Sequence, residues 1–547
     1  MTVTPQGELC LCKTKLENDY KNQFTWANIN SQTSYFNGTV QNTFSDYTYM
    51  KKDSTVTVSA NIDDIIGCNY LFYNNKGFTT KRYYCFITNM VYVNENTTRI
   101  TFETDCFQTW YFELQYNKCF VEREHVNDDT IGLHTVPEEV ETGEYIIQET
   151  SASEVDMLNY LDYYDSIDDK TQKPLVCMAI SQFGPDITHP SGDEIYNGVY
   201  SGLEYICFKT PHDARIYLKY SQAQYNADNI YSIFMAPYNL CITQDSDFST
   251  ITNGTYTFTF AFVKYTNAQQ QLKSVSITKP NVLDYNYQPK NNKLLTFPYR
   301  FFTISNNSGS STNYYYEYFK STGDFCNFNI QGAISVGCSI QLIPYNYKDG
   351  KRNTQSLVNY NYIESLDAGK LPTCCWVNDP YTNWLTQNAI NLPLDLIGNI
   401  TKIGMSTAGY SKSGVPSLSG FEGIAHTISD VYQHQLIPAT AKGGANQGDL
   451  NYARHVGFTI YKKSIKEEFA KIIDDYFSMF GYKVNTVKVP NITGRTNWNY
   501  VKTIDCNVDG DIPQTDLNII KQMFNNGVTL WHNPNNIYNY SLSNGIV

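Results

Sequence analysis

The stretch Thr386–Ala441 reads TQNAINLPLDLIGNITKIGMSTAGYSKSGVPSLSGFEGIAHTISDVYQHQLIPATA. Only five of its residues are charged: Asp395, Lys402, Lys412, Glu422 and Asp430. The rest is Leu, Ile and small residues broken by Gly and Pro, between flanks rich in Tyr, Asn and Thr that read as strand and turn. A weakly charged apolar segment inside a polar β-protein is buried, bound to a partner, or released later. Its periodicity predicts two short amphipathic helices. Asn391 is placed to cap the first, with Pro393 at an early position. Leu392, Leu396, Ile400 and Ile403 then recur along one face, and Leu394, Ile397 and Met405 add apolar surface. Ser419 and Glu422 form an S-x-x-E capping box for the second, whose face carries Ile424, Ile428 and Val431. TAGYSKSGVPSLSG connects them. No apolar run approaches the roughly 18 residues of a membrane span. Such stripes suit two helices of an ordinary core, or a loop stored in one state and used in another.

Outward from this segment, composition points to strands. Of 547 residues, 41% are hydrophobic and only 17% charged, and there are 46 Tyr. Tyr, Thr, Ile and Val favour strands and Asn favours turns, so the chain is expected to be a β-rich α+β protein. Its length exceeds one core and suggests roughly three or four domains. The net charge of −13 argues against a nucleic-acid-binding surface, which needs clustered Lys and Arg, but not against DNA passing nearby, since an acidic wall repels phosphate. The N-terminus lacks a basic start followed by an apolar run, so no signal peptide is expected. The 14 Cys are scattered apart from Cys10/Cys12 and Cys374/Cys375, with no zinc-site spacing, and read as reduced, buried thiols of a cytosolically made protein.

Catalytic motifs are missing. None of the eight His (His125, His134, His189, His212, His426, His434, His455 and His532) lies in H-E-x-x-H. No G-x-S-x-G, Walker or Rossmann pattern is present, so neither an enzyme nor a cofactor is expected. Asp505-Cys506-Asn507-Val508-Asp509-Gly510-Asp511-Ile512, ending at Asp516, has calcium-loop spacing. Its last ligand is Asp where a longer bidentate Glu is usual, and NWNYVKTI before it reads as strand. The favoured reading is therefore a metal-free acidic turn followed by a helix capped by Thr515.

Taken in order, TSYFNGTV, STVTVSA, RYYCFITNMVYV and TTRITFETDCF alternate at period two and predict strands. Asp128, Asp129, Glu138, Glu139, Glu141 and Glu144 form an acidic run read as a solvated face. SASEVDMLNYLDYY suggests a short helix, and PLVCMAIS a buried strand. TYTFTFAFV, SVSITK, NYYYEYFKST and AISVGCSIQLIPY return to strands. SIKEEFAKIIDDYFSMFG predicts the best helix, with a Ser464/Glu467 capping box, a stop at Gly481, and Ile465, Phe469, Ile472, Ile473, Tyr476 and Phe480 on one face.

LENDYKNQFTWANINSQTSYF, KRYYCFITNMVYVNENTTRITFETDCFQTWYFE, YNKCFVEREHVNDD and GLHTVPEEVETGEY resemble the tail-knob family, the distal tail-tube proteins of small short-tailed bacteriophages (podoviruses) of Gram-positive hosts. NDPYTNWLTQNA and the closing GYKVNTVKVPN, TNWNYVKT and VTLWHNP are similar too, so the resemblance brackets Thr386–Ala441. Cys106 and Phe107 stand where the family commonly has aromatic or aliphatic residues. The resemblance implies a virion tail protein: a homohexameric tube of β-barrel domains carrying DNA through its bore without specific binding, attached to an upper tail or collar protein. It also implies that the apolar loop plugs the bore, then exits and acts on the host membrane. The lipid-facing residues would be Leu392, Leu394, Leu396, Ile397, Ile400, Ile403, Met405, Ile424, Ile428 and Val431. The expected division is a β tube domain over 1–125, a mixed α/β region over 126–225 and a second β-rich tube region over 226–385. The apolar loop with short helices follows over 386–450, and an α/β closing segment over 451–547. The alternative function is a receptor- or cell-wall-binding adhesin that uses the Tyr-rich strands as a face.

Overall fold

The computed structural model describes residues 7–150 except 46, 51–53 and 76–80; 203–348 except 226–228, 265–269, 321–322 and 335–336; 360–377 except 370 and 372; 455–547; and the stretches 156–159, 174–181, 195–196, 199–200 and 441–442. The chain is strand-rich and forms two compact units, each assembled from separated segments. Unit 1 comprises Met1–Glu144, Val282–Tyr299 and Ile465–Val547; unit 2 comprises Tyr145–Asn281 and Arg300–Ser464.

Unit 1 is built on a seven-stranded sheet ordered Val40–Phe44, Gly7–Cys12, Tyr70–Asn75, Arg82–Asn94, Thr97–Thr104, Thr55–Val58, Tyr47–Met50. The alternation expected for these strands is realised: Thr98, Ile100 and Phe102 are buried while Arg99 and Glu103 are exposed. Both faces of the sheet are covered. Leu9, Leu11, Val56, Val58 and Ile100 form one core, and Tyr70, Phe72, Tyr84 and Phe86 pack with Phe36, Trp498 and Trp531 in another.

TSYFNGTV is not a strand. Its first residues belong to the helix Ile29–Gly38, because Asn28 and Ser31 form a reciprocal capping box that closes the first turn. Phe36 on this helix stacks on Tyr70 with ring centroids 5.4 Å apart. Full burial of such a ring contributes about 2–3 kcal/mol.

The second sheet of unit 1 runs Asn22–Phe24, Val528–Trp531, Trp498–Ile504, Cys119–Glu124, Tyr482–Lys488. The helix Gln514–Asn526 buries Leu517, Ile520 and Phe524 in one core with Val501 and Leu530. Thr515 lies inside this helix and Pro513 precedes it, so Thr515 is not its cap.

The helix Glu467–Phe480 stops at Gly481, whose φ of 65° and close approach to the Glu124 backbone both require glycine. Its predicted start is two residues early. Ser464 sits opposite Arg300 in a strand ladder, so the helix opens at Lys466 without a side-chain cap. The buried face is accordingly Ala470, Ile473, Asp474 and Phe477, while Ile472 is exposed.

Unit 2 holds a seven-stranded sheet ordered Ser249–Asn253, Tyr256–Phe262, Glu204–Phe208, Pro174–Ile180, Ile230–Pro237, Thr373–Val377, Ala441–Lys442. The central strand is buried from Leu175 to Ile180, as its continuous apolar run predicts. A four-stranded sheet, Gln270–Thr278, Phe325–Ile334, Cys338–Tyr345, Leu366–Asp367, contributes to the same core. Asp156–Asn159 is a strand paired with His455–Gly457, not a helix. Its helical spacing of Val155, Leu158 and Leu161 is outweighed by the ladder bonds that pairing supplies.

Candidate functional site

The apolar segment enters and leaves unit 2 at one point. Within Thr373–Val377, Thr373, Cys374 and Cys375 pair with Phe234, Ile233 and Ser232. On the other side, Trp376 pairs with Lys442 and Val377 with Ala441, antiparallel, at the sheet's last strand. Directly opposed residues of such a ladder have Cα atoms about 4.5–5.5 Å apart. The chain between Val377 and Ala441 is therefore an excursion whose ends meet at a sheet edge. Leu392, Leu394, Leu396, Ile397, Ile400, Ile403, Met405, Ile424, Ile428 and Val431 all belong to it and lie outside the described residues. Among the described residues, no helix is long and apolar enough to cross a membrane, and no group of His, Cys, Asp or Glu has metal-ligating geometry.

The acidic run of 128–144 is only partly a solvated face. The Glu138 side chain is fully buried, ion-paired with Arg123 and with Lys293 at 2.5 Å, and accepts the Lys483 backbone N–H at 2.8 Å. Burial holds the Lys293 amine below its ordinary range, and the Glu138 charge works against that. Asp129 accepts from the Tyr482 hydroxyl at 2.7 Å and the Asn292 N–H at 2.9 Å. Glu139 and Glu144 are exposed as expected, with ion pairs to Lys483 and Lys466.

A third buried carboxylate completes the pattern. Asp474 accepts from the Asn291 N–H and Nδ2, the Lys290 N–H and the Tyr287 hydroxyl at 2.8–3.0 Å. These carboxylates tie Val282–Tyr299 into unit 1 although no strand of it joins a sheet: the backbone N–H groups of Lys290 and Asn291 end on Asp474, that of Asn292 on Asp129, and the Lys293 amine on Glu138. The available signal was an aspartate between Ile473 and Phe477, on the apolar face of the helix.

Two further buried titratable groups are structural. His125 accepts the Tyr500 N–H on Nδ1 at 2.8 Å, which leaves Nε2 protonated to donate to the Ser478 carbonyl at 3.1 Å. Burial, and then the Arg495 charge, pushes its pKa down to about 3, so the ring is a neutral crosspiece.

Asp105 caps the helix Cys106–Trp110, accepting from the Gln108 N–H at 3.1 Å and the Tyr70 hydroxyl at 2.9 Å. Burial raises its pKa to about 7 from an ordinary 3.8, against the pull of those hydrogen bonds. Its stabilising proton is fully present below about pH 4 and is lost as pH rises through 7. Asp105→Asn keeps a capping acceptor and does not ionise. Denaturation at pH 5 and at pH 8 is expected to show the variant gaining on the native chain by about 2–3 kcal/mol, at about 1.4 kcal/mol per pH unit up to the folded-state pKa and little beyond it. A pH-independent difference between the two would overturn this assignment.

In the loop beginning at Asp505, Cys506 and Val508 are buried, Val508–Asp509 pairs with Gln115–Tyr116, and Asp516 accepts the Trp110 indole N–H at 2.7 Å. Two of the residues with calcium-loop spacing are thus drawn into other contacts. The Tyr-rich run is mostly core: Tyr314, Tyr316, Phe319 and Tyr347 cluster with Phe302 and Phe328. That removes much of the aromatic face an adhesin would need. Among the described residues, twelve cysteines are buried free thiols.

A family model described as "Bacillus phage phi29, Tail knob protein gp9, C-terminal domain" matches residues 247–545. The chain belongs to the tail knob protein family. A second model, "Caudoviral major tail protein N-terminus", matches residues 9–115, the segment that carries the first sheet. Tail knob protein gp9 of Bacillus phage B103 is 26% identical over 97% of this chain and 96% of its own length. The tail knob protein gp9 of Bacillus phage phi29 is 26% identical over 98% and 97%. The solved structure of the bacteriophage C1 tail knob protein, gp12, superposes with a TM-score of 0.59 at 13% identity, covering 99% of this chain and all of that one, and shows the shared fold. The protein is thus a tail knob protein, a virion tail component, and the expected strand-rich multidomain fold is realised.

Proposed function

We propose that the chain is a structural subunit of the phage tail knob whose copies assemble into a six-membered ring. DNA passes through its bore during ejection, and the Thr386–Ala441 segment plugs the bore beforehand and acts on the host membrane afterwards. The observation that carries this reading is the end-to-end relationship to tail knob proteins, which spans the segment and both flanks. Two features support it. The net charge of −13 suits a bore that repels phosphate, since a basic wall would hold DNA by counterion release. The pairing of Val377 with Ala441 lets a long segment change place without moving the sheet that carries it. The subunit does no chemistry in this reading. Its partners are further copies of itself, an upper tail or collar protein, the host membrane, and DNA in transit.

Size-exclusion chromatography followed by negative-stain imaging tests the assembly. Rings of six with an open centre are expected. A monomer or trimer that retains host glycans would replace this reading with the adhesin.

A further inference from the structure

Unit 1 carries two uncovered apolar surfaces on different sheets. The first is a row across three neighbouring strands: Phe120 faces Val487 on one side and Ile504 on the other. The three side chains are 36%, 65% and 53% exposed in that order. By strand alternation Tyr500, Lys502 and Ile504 share this face. The helix Glu467–Phe480 covers its other end, with Phe480 against Tyr500 at 5.1 Å, and stops short of the row. Lys118 flanks the row and Asp505 follows Ile504, whereas Lys488 alternates to the other face and is ion-paired with the buried Glu124.

The second surface is the outer half of the hairpin Arg82–Asn94/Thr97–Thr104. The neighbouring strand Tyr70–Asn75 pairs only with Arg82–Phe86. Among the described residues, no strand pairs with that edge from Thr88 to Asn94. Val91, Tyr92 and Val93 there are 44%, 54% and 45% exposed. Edge strands are ordinarily blunted by Lys or Pro, and this one carries neither, although register shifts at Ile87/Asn89 and Tyr92/Asn94 bracket it. The only charge between Thr88 and Thr98 is Glu95 at the turn.

We propose that these surfaces dock on each other between copies of this chain: the Val91–Val93 edge of one copy lies on the Phe120/Val487/Ile504 row of the next. Glu95 then faces the side bearing Lys118. The inference rests on the proposed self-assembly and specifies its surfaces. Both strips are apolar, with Glu95 near one and Lys118 near the other, and because they are different patches the contact is head-to-tail. Such a contact builds closed rings when its rotation closes, whereas a self-complementary patch stops at a pair.

Sedimentation velocity on the full chain tests it with Tyr92→Asp and Phe120→Asp. Both sites are on the surface, so melting temperatures are expected to match the native chain; Val487→Asp replaces Phe120→Asp should that variant melt lower. Each variant alone is expected to associate at least about 30-fold more weakly, as for a central interface anchor. Mixed, they are expected to form one-to-one pairs and nothing larger, since each keeps one intact surface. Variants that assemble like the native chain, or a mixture that stays monomeric, would overturn the assignment while leaving self-assembly standing. A native chain that is monomeric at every concentration would overturn self-assembly itself.

Discussion

Glu138→Ala is expected to lower the unfolding free energy of unit 1 by about 3–5 kcal/mol, because it strands two buried cations. The Lys293 side chain is 2% exposed and that of Arg123 11%, so neither recovers its hydration when the carboxylate leaves. The Lys483 N–H loses its acceptor as well. Glu139→Ala, one residue along, removes an exposed ion pair with Lys483 and is expected to cost less than about 1 kcal/mol. Replacing Glu138 and Lys293 together by apolar residues of similar volume should recover much of the loss, since the penalty lies in the unpaired charge more than in the absent bridge. Chemical denaturation followed by tryptophan fluorescence reads the effect, because Trp26, Trp110, Trp498 and Trp531 all lie in unit 1. Equal losses for the Glu138 and Glu139 variants would contradict the described burial.

Replacing residues 378–440 by a short Gly/Ser linker is expected to leave folding and assembly unchanged. Val377 and Ala441 oppose each other in one ladder, so a few linker residues span the gap that the native excursion spans. Loop-closure cost grows only slowly with length, so shortening the excursion alters the fold little and stabilises it slightly. Among the described residues, the core of unit 2 draws on strands on both sides of the excursion, from Leu175 to Leu371 and again at Phe458 and Ile460. A core element would behave differently: its removal would expose apolar surface and the subunit would aggregate. Soluble assemblies of the replaced chain therefore support storage of the segment, and aggregation supports its being core.

Strand alternation was legible wherever one face is buried. Arg82–Asn94, Thr97–Thr104, the buried run of Pro174–Ile180 and Cys338–Tyr345 stand where period-two patterns or apolar runs put them, whereas the partner strand Phe325–Ile334 was not read apart from its last two residues. Local readings failed where a distant partner decided the outcome. Ser464 caps no helix because Arg300 holds it in a ladder, and Asp156–Asn159 is extended because His455–Gly457 lies beside it. The burial of Glu138 was invisible for the same reason: Glu138 and Glu139 look alike in the chain, and only Arg123 and Lys293 distinguish them. The interleaving of Val282–Tyr299 into unit 1 likewise depends on Asp129 and Asp474, which lie far away in sequence. Tyr content signalled a strand-rich chain, but within NYYYEYFKST only Asn313 and Tyr314 are in a strand and Tyr316–Tyr318 form a single 3-10 turn, and Tyr314 and Tyr316 are core. The meeting of Val377 with Ala441 could not be read along the chain, although it gives the apolar segment its standing as an excursion.

The most direct measurement is dye release from liposomes by the intact chain and by the chain with 378–440 replaced, compared at equal assembly and triggered by low pH or mild denaturant. The account predicts release by the intact chain and none above background by the replaced one, because the apolar stripes at Leu392–Met405 and Ile424–Val431 are the surface that enters lipid. Equal release by both would place any membrane activity elsewhere in the chain and contradict the account.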